Sequence, residues 1–249
     1  MTKERDSLQC LRRFYQRKDV VKKYIDTRFM TPVGRVQHEH HFSFVSSHIK
    51  KFKHAKVLEI AIGPARISAH INVPKSVCIG VDASRPMLKA AGGRLKAGKN
   101  SSWNLLLADA FHLPFRSDYF DGVYTFRFVR HLNREQRHIL YSEIKQVLKN
   151  GGLFMFDAPT YGSVGKTAVI YDQHWSKDEI ISEISSEGFA PIEIVGNLRY
   201  YWLQNWFSGL RHFKLDEIAV KLIRLIESSN IDKEGVILKP LEWMVSCQK

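Results

Sequence analysis

Long apolar runs are missing from this sequence. No stretch approaches the ~18–20 apolar residues that a helix needs to cross a bilayer, which excludes a helical membrane span. The opening residues are charged and carry no apolar signal core, which predicts that the chain is not secreted. Cysteine is scarce. Cys10, Cys78 and Cys247 are odd in number and far apart, so no disulfide framework and no metal-ligand spacing follows. That usage fits a reducing cytoplasm. The run His38-Glu39-His40-His41 misses the zinc-helix pattern, because position 42 is Phe where a second histidine would be needed. No metal is expected. Internal repeats and low-complexity linkers are absent as well.

What is present suffices for a full core. The chain has 249 residues and 44% hydrophobic content, which indicates one large domain with additions. Its net charge is +13 and unevenly placed. Residues 1–56 hold 14 lysines and arginines against 5 acids, an excess of nine of those thirteen charges. Such a segment attracts nucleic acid, an anionic surface or an acidic substrate, or it solvates a helical face.

Apolar stripes predict helices over 4–26 and 35–52, broken by Thr31-Pro32-Val33-Gly34. Strands are expected near 55–61, 77–82, 104–109, 119–126, 153–157, 191–195 and 241–247. A helix is expected over 64–71. Ser84 caps another, with Pro86 in its first turn and an end near Gly92-Gly93 or slightly later. Asn133-Arg134-Glu135-Gln136 and Ser176-Lys177-Asp178-Glu179 have the form of capping boxes. Residues 198–236 read as irregular and then helical. Strands that alternate with helices predict a doubly wound α/β domain behind an N-terminal helical extension.

The segment Val57–Arg66 reads as an apolar strand that enters a small-residue turn at Ala61-Ile62-Gly63-Pro64-Ala65. Asp82 and Asp109 end the next two apolar runs, and Asp82 lies 21 positions after Ala61. These groups fall along the carboxyl edge of a parallel sheet, where open α/β sheets bind nucleotides. Small residues let the backbone approach a ligand with its N–H groups facing it. A carboxylate at the Asp82 position can accept from both ribose hydroxyls.

In this order the motifs resemble the class I S-adenosylmethionine-dependent methyltransferases, and within them the ubiquinone/menaquinone-biosynthesis-like group, methyltransferase type 11. The resemblance covers residues 55–196 and the last strand. It implies a Rossmann-like seven-stranded sheet with its last strand antiparallel, and S-adenosylmethionine as cofactor. The family motif is acid-x-Gly-x-Gly-x-Gly. Here it starts at Glu59, and Ala61 and Ala65 replace glycines while Gly63 remains. The resemblance places Asp82 on the ribose and Ala83 and Met87 near the adenine. In Ala108-Asp109-Ala110-Phe111-His112-Leu113-Pro114-Phe115, it places Asp109 on the adenine amino group and the Ala110 N–H on a ring nitrogen. Phe126 and Arg127 reach the same edge. The expected division is a cover over 1–54 and a methyltransferase domain over 55–249, with 198–236 as a helical insert on the substrate side.

Methyl transfer from a sulfonium is an in-line displacement that the protein mainly aligns and desolvates. A general base is needed only if the acceptor keeps its proton late. His131 and Tyr161 are the catalytic candidates, with His174 behind them. Arg127 or Arg130 could meet the methionine carboxylate or an acidic acceptor through a charge-assisted fork, and Arg28 could close over the cofactor from above. The aromatic run 200–207, with Trp202 and Trp206, suits an apolar or ring-bearing acceptor, as does Tyr161 on its loop. The expected enzyme methylates a small molecule with an aromatic or apolar body and an acidic part. An RNA-binding or RNA-modifying protein is the alternative. A third reading is a degenerate fold that has lost the cofactor through Ala61 and Ala65. A dehydrogenase would want an intact Gly-x-Gly-x-x-Gly. The oligomeric state and the acceptor atom are open.

Overall fold

Successive residues of the central strands point to opposite faces of one sheet, and both faces are apolar. Leu58, Val123, Phe154 and Phe156 face one side, where Leu140, Ile144, Ile180 and Ile184 cover them. Val57, Tyr124 and Met155 face the other, beneath Phe44, Val45, Ile49, Ala91 and Leu95. This two-residue period, buried on both sides, is the pattern of a parallel sheet between helical layers. The computed structural model describes residues 2–71, 73, 75–98, 102–161, 173–199, 204, 206–207, 215–228 and 240–249.

The elements run α1 (Thr2–Gln16), α2 (Lys18–Phe29), α3 (Pro32–Ile49), β1 (Lys56–Ile60), β2 (Val77–Asp82), α4 (Arg85–Ala97), β3 (Trp103–Leu107) and β4 (Phe120–Thr125). Then come α5 (Arg134–Val147), β5 (Leu148–Pro159), α6 (Lys177–Ser186), β6 (Ala190–Asn197), α7 (Asp216–Ser228) and β7 (Glu242–Gln248). The seven strands are ordered β3-β2-β1-β4-β5-β7-β6. β1 to β5 are parallel, and β7 inserts antiparallel between β5 and β6. This is the Rossmann-like sheet that the motifs imply.

Both capping boxes form, at Asn133 with Gln136 and at Ser176 with Glu179. Ser84 caps α4 by accepting from the Met87 N–H at 3.2 Å. α4 runs through Gly92-Gly93 to Ala97. Burial of Ala91 and Leu95 against the sheet outweighs the cost of two helical glycines, about 1 kcal/mol each.

Three expectations need correction. The first helix is two helices, split at Arg17, whose backbone is extended. No glycine or proline marks that break. The second begins at Pro32 rather than 35, because Thr31 caps it by accepting from the Gly34 N–H at 3.1 Å. The helix expected over 64–71 is only a 3-10 turn, Ser68–His70. Gly63 and Ala65 both hold positive φ, near +55°, which stops a right-handed helix from starting there.

α3 packs on the sheet through Phe44, Val45 and Ile49. On its other side Val33 and Val36 meet Val220 and Ile223 of α7. Ion pairs Arg35–Glu217 (2.7 Å) and Arg224–Glu39 (2.6 Å) flank that contact. Among the described residues no helix is long and apolar enough to cross a membrane.

Candidate cofactor and active site

At the end of β1 the chain bends through Ala61, Ile62 and Gly63. Ala61 adopts φ +53° and Gly63 φ +55°. Ile62 donates its N–H to Val81 O at 3.0 Å and packs on Gly80 so closely that a Cβ there would lie 2.2 Å from Ile62 Cδ1. β1 and β2 thus end side by side, and the bend opens over them.

Asp82 ends β2. Its two oxygens accept from the Gly63 and Ser84 N–H groups, each at 2.8 Å. Burial raises its pKa, against the backbone N–H groups that lower it. Each oxygen keeps a further lone pair for a ligand hydroxyl. Asp109 follows β3. One of its oxygens accepts from the Phe111 N–H at 3.1 Å, and the other pairs with Arg12 at 2.6 Å.

A cavity of about 230 Å³ lies over these strand ends. Its floor includes Ala61, Gly63, Asp82, Ala83, Asp109 and Ala110. Phe126, Arg127, Phe128 and His131 form the wall after β4, and Met87 and Phe111 complete the adjoining sides. Nine of the eleven residues expected at the cofactor come together here. Glu59 and Arg28 are not on the lining. Glu59 is buried behind the bend, where it accepts from the Tyr124 hydroxyl at 3.0 Å. Burial pushes its carboxyl up to about 8. The Arg28 guanidinium lies 4.4 Å over the Tyr24 ring, beside the cavity.

The roof is α1, which sequence reasoning took only as part of a basic cover. Leu8, Leu11, Arg12, Tyr15 and Gln16 line the cavity from above, with Tyr24 of α2. Gln16 Nε2 donates to Ala83 O at 3.1 Å. Ser84 Oγ donates to Tyr15 O at 2.7 Å, so one side chain caps α4 and holds α1. Burial, with Tyr24 adding to it, pushes the Tyr15 hydroxyl up to about 12. The signal for this roof was the apolar spacing of Leu8, Leu11 and Tyr15, which shows a buried face without saying what it covers.

Arginines gather at one end. Arg66, just past the bend, is buried and donates to His38 Nδ1 and His41 Nδ1, each at 3.0 Å. Its guanidinium lies 4.1 Å over the Phe29 ring, and that of Arg127 lies 5.8 Å from the same ring centre. Burial lowers the Arg66 pKa to about 10 and, with Arg66 beside it, that of His38 to about 3. Sequence reasoning missed Arg66, because nothing in its neighbours marks it.

Behind the wall lies a buried polar network. Arg130 donates to Asp157 at 2.5 Å and to Glu242 at 2.9 Å. Glu242 also accepts from Gln37 and Asn197. Because Arg66 donates to His41 Nδ1, the His41 proton sits on Nε2 and is given to Glu242. Burial lowers the His41 pKa. Burial pushes the Glu242 carboxyl up, but His41 and Arg130 outweigh it and hold it well below the usual range. His41, Asp157 and Glu242 bring ligand-type atoms within 4.8 Å of one another, and the Arg130 guanidinium already supplies positive charge to both carboxylates. Arg130, expected near the ligand, is thus spent on this network.

The other acceptor-side candidates lie elsewhere. Tyr161 is exposed, donates to Glu179 at 3.0 Å and stacks on His174; neither lines the cavity. Trp206 is 69% exposed. Trp202 lies outside the described residues.

Two aspartates at adjacent strand ends face this crevice, the place where open α/β sheets bind nucleotides. Residues 58–156 match the family model described as a methyltransferase domain. With the strand order, that match gives the chain a methyltransferase domain of Rossmann-like fold, a domain family that uses S-adenosylmethionine. A Burkholderia thailandensis 1,6-didemethyltoxoflavin-N1-methyltransferase, with 1,6-didemethyltoxoflavin and S-adenosylhomocysteine bound, is 13% identical; the match covers 99% of this chain and 90% of that one, with a TM-score of 0.65. A Thermotoga maritima S-adenosylmethionine-dependent methyltransferase is 17% identical over 93% of this chain and 97% of that one, with a TM-score of 0.58. A Haloferax volcanii methyltransferase, in complex with the Trm112 activator, is 18% identical over 72% and 76%, with a TM-score of 0.57. No curated protein matches the sequence.

The donor set fits the cofactor. Asp82 would hold the ribose hydroxyls, Asp109 the adenine amino group, and Arg127 the amino-acid carboxylate.

Proposed function

We propose that the chain methylates a small-molecule acceptor with an apolar or aromatic body and an acidic part. The carrying observation is a charge imbalance. Arg28, Arg66 and Arg127 gather around Tyr24 and Phe29 with no carboxylate at ion-pair distance among the described residues. Of the three, Arg127 lines the cavity, Arg66 lies behind it within the field of Asp157, and Arg28 lies beside it. Beside them Leu8, Leu11, Phe111 and Phe128 offer an apolar wall. A bound acid gains most where a guanidinium has no competing partner.

When bound, the cofactor supplies a methyl carbon activated by its sulfonium. The chain aligns and shields. α1 and the aromatic wall exclude water, and Arg127 fixes the ligand's acidic end. His131 faces the cavity and is the group placed to take a proton from an acceptor that keeps one late. A cytoplasmic location belongs to the same reading.

The RNA alternative draws on the basic N-terminal segment. Part of that charge is spent internally: Arg12 on Asp109, Arg17 on Asp19 and Arg35 on Glu217. The test is a transfer assay with methyl-labelled cofactor and pairs of acceptors that differ only as acid and neutral amide. Acids preferred by about tenfold or more support the reading, since a charged hydrogen bond contributes about 1.5–3 kcal/mol. Equal rates with acids and amides, or transfer to RNA alone, would overturn it.

A further inference from the structure

Asp157 is fully buried near the end of β5 and serves two donors three residues apart. One oxygen accepts the Arg127 backbone N–H, and the other accepts from the Arg130 guanidinium at 2.5 Å. Between these contacts runs the turn that walls the cavity, which presents Arg127 and Phe128, with Phe126 and His131 at its ends. Arg127 sits at φ +63°. A non-glycine residue keeps that conformation only where its surroundings impose it. Arg130 does not depend on Asp157 for its charge, since Glu242 accepts from the same nitrogen at 2.9 Å. What Asp157 alone touches is the Arg127 N–H.

We infer that Asp157 is a positioning residue for methyl transfer. It clamps both ends of the turn after β4 and holds Arg127 in its left-handed conformation, so that the wall faces the ligand. It acts through the turn, because it does not itself line the cavity. The inference rests on the reading of this cavity as the cofactor site.

The test is calorimetry with S-adenosylhomocysteine on the full chain, with thermal unfolding in parallel. Asp157→Ala should weaken binding by at least about tenfold at a temperature where it is folded, because small misplacements of positioning groups are costly. Asp157→Asn, equal in size and short of one charged acceptor, should weaken it by a smaller factor. Its Arg127 amide proton resonance should move upfield. Glu242→Gln breaks the other half of the network. It should lower the melting temperature yet leave affinity within about twofold, because it does not touch the turn's N–H. Wild-type affinity in both Asp157 variants overturns the inference. So does an equal loss in Glu242→Gln, which would make Asp157 one member of a general scaffold. If Asp157→Ala does not fold, Asp157→Asn carries the comparison. Asp82→Ala separates the cavity reading: a loss there with none at Asp157 sinks this inference alone, and no loss at either sinks both.

Discussion

The Arg12 guanidinium lies 2.6 Å from the Asp109 carboxylate, across 97 positions of sequence. The roof of the cavity therefore grips the oxygen that the adenine amino group would use. The side chains are 49% and 36% exposed, so the pair contributes only about 0–1 kcal/mol. Apolar burial of Leu11 and the Ser84–Tyr15 bond hold α1 more firmly. Arg12→Ala should shift the melting temperature by no more than about 2–4 °C. Freed of that competitor, S-adenosylhomocysteine should bind up to about fivefold tighter in calorimetry. Marked weakening would instead make Arg12 a ligand contact.

Ala61 and Ala65 hold φ +53° and +55° where the family has glycines. An L-residue in that region costs about 1–2 kcal/mol, partly offset by the smaller entropy it loses on folding relative to glycine. Ala61→Gly and Ala65→Gly should each stabilise the chain by about 0.5–1 kcal/mol in urea denaturation. S-adenosylhomocysteine affinity should hold or improve. Destabilisation by both would show that the methyl groups support the bend through packing.

Glu59 has an ordinary pKa of 4.5 and a folded pKa raised to about 8 by burial. The folded chain therefore binds this proton more tightly than the unfolded one. Its contribution to stability is full below pH 4.5 and is lost as pH rises through about 8. Glu59→Gln should match the wild type near pH 5. At pH 9 it should be more stable by roughly 1–3 kcal/mol. Denaturation curves at both pH values check this; a constant difference between them would contradict it.

The legible parts of the fold were those fixed by local chemistry. Ser84, Asn133 and Ser176 announce their helices because a side-chain oxygen meets an N–H three residues on. Asp82 and Asp109 were legible because strand ends share an edge. The break at Arg17 was not, since it is set by what α1 covers rather than by a glycine or proline. The failed helix over 64–71 shows the same limit: alanine favours helix, yet at position 65 the bend imposes positive φ. Arg66 and Asp157 could not be weighed from sequence, because their meaning lies in partners on α3 and in the turn after β4.

The most direct measurement is a crystal structure of the complex with S-adenosylhomocysteine. The nucleoside should lie beneath α1, with its ribose hydroxyls on Asp82 and its adenine amino group on Asp109. A ligand bound away from the strand ends, with Asp82 touching only the Gly63 and Ser84 N–H groups, would contradict it.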